Sequence, residues 1–472
     1  AWDLIGYPWD WSPDEGIYLD FARRLLDAPA SLYNARGVPV PAIYGPLHPA
    51  LLAPVVRLSN PLAAARVLTL GFTLIGALAV GVLIRRRAGT LWAVAGAALY
   101  LSVFNISSWF MLVRIDTPLV AFWLWSAVVL FPSELRAGAD HLSRGRIAGA
   151  TALLLMGCLV KLTAVIHGLP LVLAWFWVDR RSAWRLIAAL ALSGLVTLAL
   201  LLAITKGGYL EAVLIWRLHS REPGLLSRLV ADFAVRAWPV ILLALLSGIA
   251  AVLARSRPIR DPVLFLLAGG LLVLPMASKA GACWNYLLPL YAAMVVAGAR
   301  WAALSLPTVG SLLPAGIGVL ALVLATSQTF PMPTAYDEAA ARTLYGFARE
   351  FHRKAGGPFL VSRPALVYFV VGQDAEIEGA GLQQLVDGRA PAATEILERI
   401  IQARYTLVVE TWPLPRQAAW QNSLHRNYRP LGACRLGSYF TGYDARLYAR
   451  RDLPVDFTPP SGVRCQAVPH GP

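Results

Sequence analysis

The chain has 472 residues, 57% of them hydrophobic and 15% charged, against about 45–50% apolar and about 25% charged in soluble domains, which excludes an ordinary soluble protein. Its formal charge of +15, from 42 Lys+Arg against 27 Asp+Glu, belongs on so apolar a chain to the orientation of membrane segments and argues against nucleic acid as a partner. Cys158, Cys283, Cys434 and Cys465 form no CxxC pair and no His/Cys cluster, so neither a zinc module nor a disulfide-built fold is supported, and any metal must use oxygen ligands.

Residues 2–20 are aromatic and acidic, resembling neither a signal peptide nor a membrane anchor. An earlier helix, starting inside, is expected before them. Apolar segments follow near 62–84, 88–104, 111–131, 147–160, 162–178, 186–205, 238–254, 262–277, 287–299 and 311–326, several shorter than the roughly 20 residues that span a bilayer. The predicted architecture is a polytopic α-helical membrane protein with ten crossings, or eleven with the earlier helix. Arg85–Arg87, then Arg136 with Arg144 and Arg146, Arg180–Arg181 with Arg185, Arg255 with Arg257 and Arg260, and Arg300 fall between alternate segments. Those are cytoplasmic loops by the positive-inside rule, which places residues 1–60 and 335–472 outside. The stretch 147–178 has basic flanks at both ends, so it is read as two short passes turning near Lys161.

The chain divides into a membrane module, 1–334, with 26 Lys+Arg and 14 Asp+Glu, and an external domain, 335–472, with 16 and 13. The second reads as a small α/β domain. It has an amphipathic run at 338–354, β-like stretches at 358–361 and 367–371, a helix at 392–403, a β-like stretch at 405–410 and a late strand near 445–449. Cys434 and Cys465 both lie in it, compatible with a disulfide or with two buried thiols.

Where charge is scarce, each ionisable group away from a cytoplasmic loop is a candidate for function. Three patches qualify. Ser12-Pro13-Asp14-Glu15-Gly16, followed by Tyr18 and Ala22-Arg23-Arg24, sets adjacent acids before a helix. They are suited to general-base work or to a divalent cation, and equally to N-capping. Arg114-Ile115-Asp116-Thr117-Pro118 carries two charges at i and i+2, which do not face each other on a helix and so take separate partners. Of only four lysines, Lys161, Lys206 and Lys279 map to external segment ends. There a lysine suits a lipid phosphate, with Arg217, His219 and Arg221 beside it, or simply snorkels to headgroups. His48 and His167 are lone histidines and read first as packing.

These residues in this order resemble a known family. Asp14-Glu15 with Tyr18 and Ala22-Arg23, Tyr44-Gly45-Pro46-Leu47-His48-Pro49, Arg114 and Asp116, Leu159-Val160-Lys161, and Lys279-Ala280-Gly281 with Asn285-Tyr286 resemble the GT-C superfamily of membrane glycosyltransferases. The likeness is to the bacterial branch related to protein O-mannosyltransferases and the lipid A aminoarabinose transferase, over about residues 1–330. The tail resembles the small external domain that ends many bacterial members. The resemblance implies inverting transfer of a sugar from a polyprenyl-phosphate donor, such as an undecaprenyl-phosphate sugar, to a glycan, lipid or protein acceptor at the external face of a bacterial inner membrane. It implies Asp14 as base or metal contact with Glu15 beside it, and Asp116 as an acceptor or metal contact. Lys161, Lys279, Arg217 and Arg221 would touch the phosphate. Tyr44, His48, Arg114, Asn285 and Tyr286 would line the site, with Mg²⁺ or Mn²⁺ as the expected cation if one is used. The alternative class, a transporter or flippase for a lipid-linked polar cargo, predicts charges at mid-depth and an internal repeat, and the sequence shows neither.

Overall fold

The computed structural model describes residues 2–12, 14–33, 42–102, 111–131, 141–215, 221–253, 261–279, 282–305, 312–327, 333–361, 372, 391–410, 418–436 and 443–467. A short helix α1 (Trp2–Gly6), helix α2 (Glu15–Asp27) and a single turn α3 (Leu47–Leu52) precede the membrane helices. Each of the ten apolar segments is a helix: α4 (Pro61–Ala88), α5 (Thr90–Ser102), α6 (Asp116–Leu130), α7 (Arg144–Val160), α8 (Ala164–Val178), α9 (Arg180–Thr205), α10 (Leu225–Leu253), α11 (Val263–Leu272, continued by a 3₁₀ turn), α12 (Leu288–Ser305) and α13 (Leu312–Ser327). Four of these spans are long and apolar enough to cross a bilayer unaided, and the chain is a multi-pass membrane protein.

Local chemistry sets the helix ends. Asn60 caps α4 by accepting from the Ala63 amide, Pro61 takes the first turn, and Arg85, Arg86 and Arg87 meet the negative end of the helix dipole. Ser143 caps α7, and Asp179 caps α9 through the Arg181 amide. The stretch 147–178 does break: Lys161 is extended after the last turn of α7, and α8 begins three residues later. The span containing α12 is almost wholly buried and central, whereas α9 lies at the periphery with its apolar face outward.

The two ends of the bundle differ in their polar chemistry. At one end Arg300 pairs with Asp261 at 2.9 Å and donates to the Leu83 carbonyl, and Arg86 holds the Phe131 carbonyl. All the acids of the sequence-predicted site lie at the other.

Beyond the bundle, α14 (Ala335–Ala355) opens the C-terminal domain with a capping box between Thr334 and Asp337. Strands β1 (Phe359–Val361), β2 (Leu407–Glu410), β3 (Tyr428–Leu436), β4 (Tyr443–Arg450) and β5 (Cys465–Ala467) form one sheet in the order β1-β2-β4-β3-β5. Among the described residues only β1 and β2 run parallel. The core on one face includes Leu344, Tyr345 and Phe351 of α14; on the other it includes Ile396 and Ile400 of α15 (Pro391–Ile401) and Trp420 and Leu424 of α16 (Ala418–Asn427). Cys434 and Cys465 are bonded across β3 and β5. The β-like stretch at 367–371 lies outside the described residues.

Candidate active site

The first loop is anchored by a residue that the sequence reading passed over. Arg66, in the second turn of α4, is wholly buried and forks onto the carbonyls of Leu4 (2.6 Å), Tyr7 (2.7 Å) and Trp9 (2.8 Å) and onto both oxygens of Glu15 (2.8 Å each). Glu15 also accepts from the amides of Trp11 (2.7 Å), Ser12 (3.1 Å) and Val113 (3.2 Å). Burial pushes its carboxyl pKa up, but the Arg66 charge and the hydrogen bonds outweigh that and hold it below the usual value. With five donors on two oxygens, Glu15 has no lone pair to offer a substrate or metal. It was expected beside the catalytic base; it is instead the knot that ties the first loop to α4 and to the segment before α6. A lone arginine near the start of an apolar run was the available signal for Arg66.

Asp14 faces the other way. Its carboxylate is in contact with the Arg114 guanidinium, which also takes the Ser12 hydroxyl. The Asp14 side chain is 24% exposed, against 0% for Glu15 and 6% for Asp116. Two residues after Arg114, Asp116 opens α6 and accepts from Lys161 Nζ at 2.6 Å and Asn285 Nδ2 at 3.2 Å. Arg114 and Asp116 thus do take separate partners.

Lys161 sits at the break between α7 and α8, buried, with its ammonium 4.7 Å from the centre of the Tyr286 ring and 5.9 Å from that of Tyr44. Tyr44 reaches it because the chain lies directly on the end of α7: the Gly45 amide donates to the Val160 carbonyl, and a Cβ on Gly45 would collide with the Leu159 carbonyl. His48 packs edge-on to Tyr18 at 4.9 Å, close enough to Asp116 to feel its charge. Burial keeps its imidazole neutral, pulling the pKa down to about 3 against the opposing pull of Asp116. His48 Nδ1 and Asn285 Oδ1 are buried without a partner among the described residues.

Asp14, Arg114, Asp116, Lys161, Tyr44, His48, Asn285 and Tyr286 therefore converge. The expected phosphate contacts divide. The Lys161 charge is already matched by Asp116. Lys279 pairs through its backbone with Arg221, tying the loop before α10 to the turn after α11. Arg217 lies outside the described residues.

The donor set does not fit a resident divalent cation. Asp14 and Asp116 are each matched by a cation of the chain, Glu15 is saturated, and no three His, Cys, Asp or Glu side chains group together among the described residues.

Beside Lys161 an almost wholly apolar cavity of about 500 Å³ opens between α7, α8 and α9, its wall including Leu159, Leu162, Val165, Gly194 and Leu198. Tyr209 closes one side and links it to the site: its ring packs on Tyr33 at 5.0 Å, and the Tyr33 hydroxyl donates to the Tyr44 carbonyl.

The candidate acids and their cationic partners thus gather at one end of a multi-pass bundle, beside an apolar cavity. Neither a protein-family model nor a curated protein sequence matches the chain. Among solved structures it is similar to ArnT from Cupriavidus metallidurans bound to undecaprenyl phosphate, with a TM-score of 0.55 and 14% identity over 94% of this chain and 95% of that one. It is likewise similar to the apo state of that protein, with a TM-score of 0.53 and 15% identity over the same shares. The fold is thus that of ArnT.

Proposed function

We propose that this protein is a glycosyltransferase that moves a sugar from a polyprenyl-phosphate donor to an acceptor at the external face of a bacterial inner membrane, with inversion at the anomeric carbon. The observation that carries the reading is the meeting of a reachable carboxylate, a cluster of buried polar groups and a lipid-sized apolar cavity at one end of a fold shared with a protein crystallised with undecaprenyl phosphate.

Asp14 is the base, because it is the acid of the three that an acceptor can reach. It takes the proton of the acceptor hydroxyl as that oxygen attacks the anomeric carbon from the face opposite the phosphate. The bond from the anomeric carbon to the phosphate oxygen breaks, and Lys279 and Arg221, with Arg217 of the same loop, offset the charge gathering on the leaving polyprenyl phosphate. Asp116, Lys161, Asn285 and His48 form the sugar seat, where the open Nδ1 and Oδ1 atoms meet sugar hydroxyls. The polyprenyl chain lies in the cavity between α7, α8 and α9. No step is routed through a metal ion.

Purified protein incubated with a panel of polyprenyl-phosphate sugars and extracted membrane acceptors, read by mass spectrometry, tests this. Transfer by wild type that Asp14→Asn abolishes supports it; donor binding with no transfer points to a carrier of lipid-linked cargo.

A further inference from the structure

The loop that carries Asp14 is gripped from two sides. From the bundle, Arg66 takes the carbonyls of Leu4, Tyr7 and Trp9. From above, the C-terminal domain takes the side chains of the same stretch. The Tyr345 hydroxyl donates to Asp10 Oδ1 at 3.0 Å, the Trp9 ring lies 4.0 Å from that of Tyr345, and the Tyr7 hydroxyl meets the Asp337 carbonyl at 3.5 Å.

This contact is built rather than incidental. Asp10 and Tyr345 are 1% and 2% exposed, so the Tyr345 hydroxyl offsets part of the cost of taking the Asp10 carboxylate out of water. Trp9 packs against both the bundle core and the core under the sheet. The gripping end of α14 is itself braced: Asp337 closes the capping box with Thr334 and pairs with Arg464 at 3.2 Å, beside the Cys434–Cys465 bond. Farther along, the Arg23 guanidinium donates to the Gly372 carbonyl at 2.9 Å.

We propose that Tyr345 is a positioning residue: through Asp10 and Trp9 it makes the C-terminal domain one jaw of a clamp, with Arg66 the other, that fixes the loop bearing Asp14 in place for transfer. The proposal rests on the glycosyltransferase reading for its kinetic consequence, but not for the clamp itself.

Amide hydrogen exchange of the full-length protein in lipid nanodiscs, followed over residues 4–15, compares wild type with Tyr345→Phe and with Asp10→Asn, which preserve shape. Exchange should quicken about 10- to 100-fold in Tyr345→Phe, the range set by one hydrogen bond to a charged group, and by less in Asp10→Asn, whose amide oxygen still accepts from Tyr345, while α4 is unchanged. In the transfer assay kcat should fall with the donor KM unchanged, and Trp9→Phe, which retains a ring against Tyr345, should restore most of what Trp9→Ala loses. Wild-type exchange in both variants overturns the clamp; quickened exchange with unchanged kcat overturns the positioning role. Quickened exchange in a protein whose wild type transfers no sugar upholds the clamp and removes the glycosyltransferase reading instead.

Discussion

Asp14 and Glu15 are neighbours of like chemistry, and the structure predicts opposite phenotypes for them. Glu15→Gln replaces one of two accepting oxygens with an amide that must face Arg66 or a backbone amide, all of them donors. It also leaves Arg66 buried with no opposite charge, a loss of about 3–5 kcal/mol. With an unfolding entropy near 2.1 cal/mol/K per residue, a 472-residue chain melting as one unit carries about 1 kcal/mol/K, so Tm should fall by roughly 3–5 °C. Asp14→Asn keeps an oxygen that accepts from Arg114, and Asp14 is the more exposed member of its pair, so Tm should fall by less than in Glu15→Gln, while turnover should drop about 10²- to 10⁴-fold with the loss of the base. Intrinsic tryptophan fluorescence during heating in detergent reads the first quantity, and product mass spectrometry the second. Because the Glu15 carboxyl lies below its usual value of 4.5 in the folded state, its stabilisation is fully present above that pH. It is lost only as pH falls through the lower folded value, so the difference between wild type and Glu15→Gln should be constant from pH 6 to 8. A Glu15→Gln protein with wild-type Tm would sink the anchoring argument, and an Asp14→Asn protein with undiminished turnover the base assignment.

His48 has a folded pKa of about 3 against 6.5 unfolded, so the unfolded chain binds the extra proton and stability falls as pH drops below 6.5. The cost is about 2 kcal/mol at pH 5, and His48→Gln should flatten the curve of Tm against pH over that interval. Lys161→Met should destabilise by about 3–5 kcal/mol by stranding the Asp116 charge. The double variant with Asp116→Leu should regain much of that Tm, without regaining transfer. Gly194 lines the cavity with open space where a side chain would go. Gly194→Phe should therefore raise the KM for an undecaprenyl-linked donor several-fold while leaving a geranyl-linked donor unaffected; equal effects on both would remove the cavity from the donor path.

The membrane helices were legible because burial in lipid demands long apolar runs, and the turn at Lys161 was legible because one crossing would have put a basic flank on the wrong side. Asp14 and Glu15 were not separable, since their roles differ only in burial, and that is decided by Arg66, 51 residues from Glu15. Strand β3 escaped notice because Pro430 and Gly432 read as breakers; an irregularity in the β3–β4 pairing accommodates them. The clamp joins Asp10 to Tyr345 across 335 positions, and nothing local to either residue announces it.

Among the chain's 38 arginines and four lysines, the buried ones do different work. Arg66 serves three carbonyls and a carboxylate at once, Arg300 a carboxylate and a carbonyl, and Arg86 two carbonyls. Arg66 and Arg86 each hold more than one backbone carbonyl, and Arg300 a carbonyl with a carboxylate, from one planar fork that a compact ammonium does not reproduce. Lys161 does the opposite: it is a compact charge facing one oxygen of Asp116 beside two aromatic rings. Arg66→Lys, nominally conservative, should therefore keep the charge opposite Glu15 yet release at least one of the three loop carbonyls, at about 1–3 kcal/mol for each one left buried and unsatisfied. It should lower Tm by about 1–3 °C for each carbonyl released. A variant as stable as wild type would show that charge alone, and not the fork, holds the loop in place.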